Sequence, residues 1–262
     1  MNLGLKDKPA IVMASSSGLG KAIATEFAGE GAKVMLFSPF EDQLKEAQAE
    51  IKNLTGNSPE YFVGDITKVK DIKALVNKTV DCYGSVYALV NNTGGPPAGT
   101  FDSFDDEAWQ KAYELTLLSY IRAVREVLPY MRANGGGRIL NSTSSSVKAV
   151  LDNLILSNTF RMGVVGLAKT LSQELGKDKI LVNVIGPGRI GTARIDHLDK
   201  VRAEKAGVSV EEIQQGAFKG IALGRYGVPE EYGKLATFLC SEANTYITGQ
   251  TILVDGGLVK AI

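Results

Sequence analysis

The chain has 262 residues, with 29 basic and 29 acidic side chains, so its formal charge is zero. Hydrophobic residues make up 44%, and a chain of this size buries a core without help from disulfides or metals. A neutral balance argues against nucleic acid or an anionic membrane surface as partner, and it permits self-association. The only histidine is His197, and the two cysteines, Cys82 and Cys240, lie far apart without metal-type spacing. These counts speak against a multi-histidine metal centre and against a Ser-His-Asp site, so no metal is expected. The first nine residues are polar and charged and hold no apolar run of signal-peptide or membrane-span length, which makes the cytoplasm the expected location.

Short aliphatic or β-branched runs alternate with longer amphipathic stretches along the chain. Strands are predicted at 10–14, 33–37, 60–63, 87–91, 138–141, 181–185 and 251–254. Helices are predicted at 20–29, 41–54, 69–83, 105–133, 158–176 and 229–241. Strands spaced by helices imply βαβ units and a parallel sheet with helices on both faces. No linker, low-complexity stretch or internal repeat divides the chain, so one domain over 1–262 is expected. The connection 186–224 is long and carries two charged helical pieces, at 196–206 and 209–218. An insertion of this kind near the C-terminal ends of strands reads as a lid over a ligand, here at about 189–224, or as a surface excursion without function.

Four groups of residues fall where open α/β sheets bind ligands, at the C-terminal ends of strands. The first strand runs into Ala14, Ser15, Ser16, Ser17, Gly18, Leu19 and Gly20, directly ahead of a helix. Glycines there let backbone amides approach a pyrophosphate at the helix N-terminus, where the dipole favours negative charge. Asp65 and Ile66 end the third strand, and Asn91, Asn92, Thr93 and Gly94 follow the fourth. Pro187, Gly188, Ile190 and Thr192 follow the sixth. Each group has a bland reading: a turn, a cap on the next helix, or a chain reversal. Their joint order and placement points instead to a dinucleotide groove.

With these residues in place, the chain resembles the short-chain dehydrogenase/reductase family over nearly its whole length, and within it the 3-oxoacyl-acyl-carrier-protein reductase-like members. The family's Thr-Gly-x-x-x-Gly-x-Gly is matched by Met13, Ala14, Gly18 and Gly20. Its adenine-binding Asp maps to Asp65, and its Asn-Asn-Ala-Gly to Asn91, Asn92, Thr93 and Gly94. Its Pro-Gly-x-x-x-Thr, which meets the nicotinamide carboxamide, maps to Pro187, Gly188 and Thr192. The resemblance implies a seven-stranded Rossmann-type sheet in the order 3-2-1-4-5-6-7 and NAD or NADP as cofactor. It also implies a homotetramer, or a dimer, with residues 255–257 near a subunit contact. The position about twenty residues past the glycines holds Ser38 rather than an acid. Nothing there repels a 2′-phosphate, and the basic residues of NADP-preferring relatives are absent at Ser17 and Pro39, so the balance tips slightly to NADP.

The resemblance also implies a Tyr proton donor, a Lys four residues on, a Ser thirteen residues before the Tyr and an Asn on an earlier helix. The Ser maps to Ser144. The Tyr position is then Ser157, the Lys position Arg161 and the Asn position Thr116. No tyrosine lies between Tyr130 and Tyr226. Arg161 keeps a positive charge for the ribose, whereas an aliphatic hydroxyl is a far weaker acid than a phenol. Substitute donors in the sequence are Lys148, Asp152, His197 and Tyr226, and Asp152 is also a natural ion-pair partner for Arg161. The expected function is an NAD(P)-dependent oxidoreductase of a small-molecule alcohol or carbonyl with non-standard catalytic residues. The alternatives are an inactive dinucleotide-binding sensor or subunit, and a non-redox enzyme using the same pocket.

Overall fold

A computed structural model describes residues 2–261. Seven strands form one parallel sheet: β1 (Pro9–Met13), β2 (Lys33–Ser38), β3 (Glu60–Val63), β4 (Ala88–Asn91), β5 (Gly137–Ser142), β6 (Ile180–Pro187) and β7 (Thr251–Val254). Their order is β3-β2-β1-β4-β5-β6-β7. The chain therefore builds outward from β1 to one edge, returns, and builds outward from β4 to the other. The crevice between the exits of β1 and β4 is the place this topology leaves open for a ligand.

Alternation along the strands feeds two cores. Ala10 and Val12 point to one face, where they meet α1 (Gly18–Gly29), α2 (Glu41–Thr55) and α9 (Pro229–Leu239) through Ile23, Phe27, Leu44, Ile51 and Leu239. Ile11 and Met13 point to the other. There α3 (Val69–Tyr83), α5 (Ser119–Ala133) and α6 (Ile155–Glu174) supply Ile72, Leu75, Val127, Met131 and Ala168. Strands buried on both faces read as continuous apolar runs, as β1 does. Gly56 and Gly84 end α2 and α3 in the left-handed conformation, with φ of 77° and 82°, the usual glycine cap.

Three boundaries depart from the sequence reading. The stretch 105–133 is two helices, α4 (Asp106–Tyr113) and α5, joined by a π-helical turn at Glu114–Leu118. Thr116 Oγ1 donates to the Ala112 carbonyl and Ser119 Oγ to the Leu115 carbonyl, both at 2.6 Å. Hydroxyls bonding back to the carbonyl four residues earlier compete with the helical ladder, and here they accompany the widened turn. Second, α6 starts at Ile155, which puts Ser157 inside its first turn. Third, Ala14 is not part of β1; it adopts φ +47° at the strand exit.

The segment after β6 forms α7 (Ala193–Ala206) and α8 (Val210–Phe218). Its base is closed by a short parallel bridge, with the Gly191 amide donating to Gly227 and the Gly227 amide to Arg189, both at 2.9 Å. Asp199, fully buried, accepts from Arg189 Nη1 at 3.2 Å and from Tyr226 Oη at 2.8 Å. No helix among the described residues is long and apolar enough to cross a membrane.

Helices α1 and α9 meet at Gly233, where a Cβ would lie 2.8 Å from Glu26 Cγ and 3.0 Å from the Ala22 carbonyl oxygen. Gly233→Val is expected to lose about 1–3 kcal/mol through overpacking, against the small gain that leaving glycine brings in a helix. A lower urea midpoint at unchanged m-value, in equilibrium unfolding, is the predicted reading.

Candidate functional site

A groove of about 450 Å³ opens at the exits of β1 and β4. The residues at strand ends converge on it: Ala14, Ser16, Ser17, Gly18, Leu19 and Gly20 from the first turn, Ser38 from β2, Asp65 and Ile66 after β3, Asn92 and Gly94 after β4, and Thr192 ahead of α7. Thr93 of the β4 exit motif and Pro39 line it too, as do Phe37, Phe40, Gln43, Leu115, Ala193 and Arg194, which carried no motif in the sequence. Phe40 and Gln43 could have been found from their place at the start of α2. Arg194 lies in the expected lid, whose residue types single out no position.

The first turn is shaped by close contact. A Cβ on Gly20 would come within 2.2 Å of the Ala14 carbonyl oxygen and 2.9 Å of Asn92 Nδ2. Only glycine lets α1 start this near the strand. Ala14 itself holds a left-handed φ at a cost of about 1–3 kcal/mol, no more than one fully buried aliphatic side chain contributes. Asn92 Nδ2 donates to the Met13 and Ala14 carbonyls, both at 3.2 Å, so the β4 exit holds the β1 exit in place. Gly18 is left-handed at φ +54° and lies near Thr192. Helix α1 has no side-chain cap and no acid in its first turn. Its leading amides and dipole therefore face the groove uncompensated, which fits a pyrophosphate.

The β2 exit is polar and uncharged. Ser16 Oγ donates to Ser38 Oγ at 3.0 Å and to Gln43 Oε1 at 3.2 Å, and the Phe40 amide donates to Ser38 Oγ at 3.3 Å. Asp65 Oδ1 accepts from the Thr67 amide and hydroxyl, both at 2.8 Å. It closes the turn before α3 and still lines the groove.

Some residues singled out by the sequence stand apart. Ser15 is buried, donates to the Val12 carbonyl at 2.7 Å and accepts from the Phe37 amide at 3.0 Å, so its hydroxyl ties β1 to β2. Ile190 is in the core. Pro187 pairs with Val254 at the end of β6, and a Cβ on Gly188 would lie 2.6 Å from Asp255 Cβ. These two lie outside the groove lining and set how closely β6 approaches the turn after β7.

Beyond the groove, β5 and α6 build a buried polar cluster. Ser157 and Arg161, one turn apart on α6, are both buried, with Arg161 5% exposed. Arg161 Nε donates to Ser157 Oγ at 3.3 Å and Nη1 to the Ser142 carbonyl at 3.2 Å. That carbonyl also accepts from Tyr120 Oη at 2.8 Å. Ser142 Oγ is paired with Tyr232 Oη at 2.8 Å. Burial pushes the Tyr120 phenol up to about 12, with Arg161 opposing, and burial also raises Tyr232. Both phenols are therefore neutral at physiological pH. Half-buried Ser144 accepts from the Ser146 amide at 3.1 Å at the head of a 3-10 turn. Thr116 lies buried in the π turn.

The substitute donors are elsewhere. Lys148, Asp152 and His197 are exposed, and Asp152 makes no ion pair with Arg161. Tyr226 Oη is held by Asp199, and burial followed by that bond raises its pKa. Among the described residues no cluster of three or more histidine, cysteine or acidic side chains is placed to hold a metal.

A family model described as enoyl-(acyl carrier protein) reductase matches residues 13–259. The 3-oxoacyl-[acyl-carrier-protein] reductase of Thermotoga maritima is 33% identical over 257 residues, covering 97% of this chain and 99% of that protein. The structure of L-sorbose reductase from Gluconobacter frateurii complexed with NADPH and L-sorbose superposes with a TM-score of 0.95 at 33% identity, covering 100% of each chain. A 7α-hydroxysteroid dehydrogenase complexed with NADH and 7-oxo glycochenodeoxycholic acid gives 0.88 at 32% identity, covering 98% of this chain and 96% of that one. Sheet order, groove and these matches over nearly the whole length agree: the chain belongs to the short-chain dehydrogenase/reductase family of NAD(P)-dependent oxidoreductases.

Proposed function

We propose that the protein interconverts an alcohol and a carbonyl on a small molecule, using NADP in preference to NAD and an altered proton-handling set. The observation that carries the reading is the groove itself, where uncapped α1, Gly18 and Gly20 face Asn92 and Thr192 across the strand-order reversal. When bound there, a nicotinamide nucleotide supplies hydride transfer. The first turn holds its pyrophosphate, and Asp65 and Ile66 flank its adenine. Thr192 meets the carboxamide end, and Pro187 and Gly188, outside the lining, fix the course of the chain that leads to it. The whole chain acts as one nucleotide-binding domain, and residues 189–224 form the lid, hinged on the bridge at Gly191 and Gly227.

The catalytic set departs from the family pattern. Ser157 and Arg161 stand at the Tyr and Lys positions, and Thr116 at the Asn position. The Ser144 hydroxyl orients the substrate oxygen. Arg161 stays charged and serves the ribose, and its positive field stabilises an alkoxide forming nearby. A guanidinium does not give up its proton, and Ser157 is a weak acid. Slow proton delivery, from the Ser157 hydroxyl or from water reaching it, follows. Tyr120 and Tyr232 do not replace the missing phenol, since both hydroxyls are buried and already bonded to the β5 exit.

The preference for NADP rests on the uncharged Ser38 pocket and on the NADPH bound by the sorbose reductase; the NADH complex of the steroid dehydrogenase points the other way. Fluorescence titration is expected to show saturable binding of NADPH. A failure of both NADPH and NADH to bind at millimolar levels would remove the whole reading. Ser38→Asp can still accept from Ser16 and Phe40 but sets a carboxylate against the 2′-phosphate. It is expected to weaken NADPH about tenfold or more, leaving NADH little changed. The double replacement Ser157→Tyr with Arg161→Lys is expected to raise steady-state reduction of simple ketones by about 10²–10⁴-fold, the usual weight of a positioned acid. No gain in kcat would show that the pocket has diverged beyond those two positions.

A further inference from the structure

The segment after β6 is gathered on one carboxylate. Arg189 stands where the segment leaves β6, Asp199 in the middle of α7, and Tyr226 where the segment returns. Asp199 is fully buried. Its Oδ1 accepts from Arg189 Nη1 at 3.2 Å and its Oδ2 from Tyr226 Oη at 2.8 Å. Arg189 Nη1 also donates to Tyr226 Oη at 3.2 Å, which closes a ring of three bonds. Arg202, half exposed, adds a second guanidinium 3.8 Å from Asp199 Oδ1. The Arg189 guanidinium lies over the Tyr226 ring at 5.7 Å, and Phe218 of α8 meets that ring edge-on at 5.0 Å. Entry, both helices and exit of the segment therefore meet at one place. Apolar packing contributes little: of the fourteen residues of α7, the buried ones are Asp199 and Ala203. A helix with so little buried apolar surface docks through its polar contacts and opens more readily than the sheet core.

The start of α7 crosses the groove. Thr192, Ala193 and Arg194 line it. On one side, a Cβ on Gly18 in the first turn would lie 3.9 Å from Thr192 Cγ2. On the other, a Cβ on Gly95, after β4, would lie 2.6 Å from Arg194 Nη2. These three residues thus span the groove from the β1 exit to the β4 exit. Asp199 follows Thr192 by about two helical turns, so the buried carboxylate fixes the helix axis that sets the crossing. We infer that Asp199, Arg189 and Tyr226 form a latch that holds α7 across the groove, and that the nicotinamide half of the nucleotide leaves when the latch opens. Asp199 lies outside the groove lining, so it is a positioning residue acting through α7. The inference rests on the nucleotide-groove reading above. An apolar residue at 199 would dock the helix without the cost of burying a carboxylate. Three mutually supporting polar bonds instead form and break together, which suits a contact with two states.

The test is stopped-flow release of NADPH, chased with excess NADP and read by NADPH fluorescence. Calorimetric titration of adenosine 2′,5′-bisphosphate, which lacks the nicotinamide half, runs beside it. Asp199→Asn keeps the shape of the side chain but not its charge, and is expected to speed release about tenfold. Tyr226→Phe keeps the ring and removes one hydroxyl, and is expected to speed release about threefold. Both variants are expected to hold the bisphosphate within about twofold of wild type, a split that general loosening of the fold does not produce. Unchanged release in folded Tyr226→Phe would overturn the inference, and that variant decides alone if Asp199→Asn does not fold. Faster release with an equal loss of bisphosphate affinity would also overturn it, by making the three residues a prop for the whole groove. If the wild-type protein bound neither ligand, the groove reading would fall. Hydrogen exchange would then decide the latch separately: faster exchange of the α7 amides in Tyr226→Phe supports it, and unchanged exchange there rejects it.

Discussion

The hub of this molecule is the carbonyl of Ala14. It sits at the exit of β1, turned by a left-handed residue, with the first turn of α1 so close that only glycine fits at position 20. Asn92 Nδ2 bonds to it and to the Met13 carbonyl from the exit of β4. Three chain segments are thereby locked together at the single place where the strand order reverses. The interior continues the tie. Asn91 Nδ2 donates to Asn141 Oδ1 at 2.9 Å, Asn141 Nδ2 to the Asn183 carbonyl at 3.3 Å, and Asn183 Nδ2 to the Ile247 carbonyl at 2.8 Å. These buried amides link β4, β5, β6 and the approach to β7. Buried polar chains of this kind resist small displacements because each broken bond leaves a group without water. The strand exits are thus held in fixed relation, and a rigid groove follows.

Sheet topology and groove position were legible because they depend on features of short range. Aliphatic runs of four to six residues mark parallel strands, and small or polar residues mark their exits. The features that escaped are those set by tertiary contact. The π turn at Glu114–Leu118 depends on two hydroxyls finding carbonyls of their own helix, and apolar periodicity over 105–133 passes through it unchanged. Ser15 reads as a loop donor beside two other serines, yet it faces inward and joins β1 to β2. Pro187 and Gly188 read as part of the nucleotide groove; Pro187 instead ends β6 paired with Val254, and Gly188 just after it is pressed on Asp255. Arg194 escaped for a further reason: it follows β6 in a segment whose residue types single out no position, and only the fold sets it on the groove.

The same fold bears on the proposed exchange of the family's phenol for Ser157. What surrounds α6 there is a set of neutral acceptors, the Ser157 hydroxyl and the Ser142 carbonyl, anchored by Tyr120 and Tyr232. A lysine offers one compact ammonium to such surroundings. An arginine spreads its charge over a planar fork and bonds two of these acceptors while a third nitrogen remains. The cost of burying that cation falls on the folded state, since no acid returns the lost hydration among the described residues. Positive charge placed without a partner is therefore better understood as part of binding than as part of stability. The proposed exchange at positions 157 and 161 then has one physical sense: strength as a proton donor gives way to strength as an electrostatic anchor.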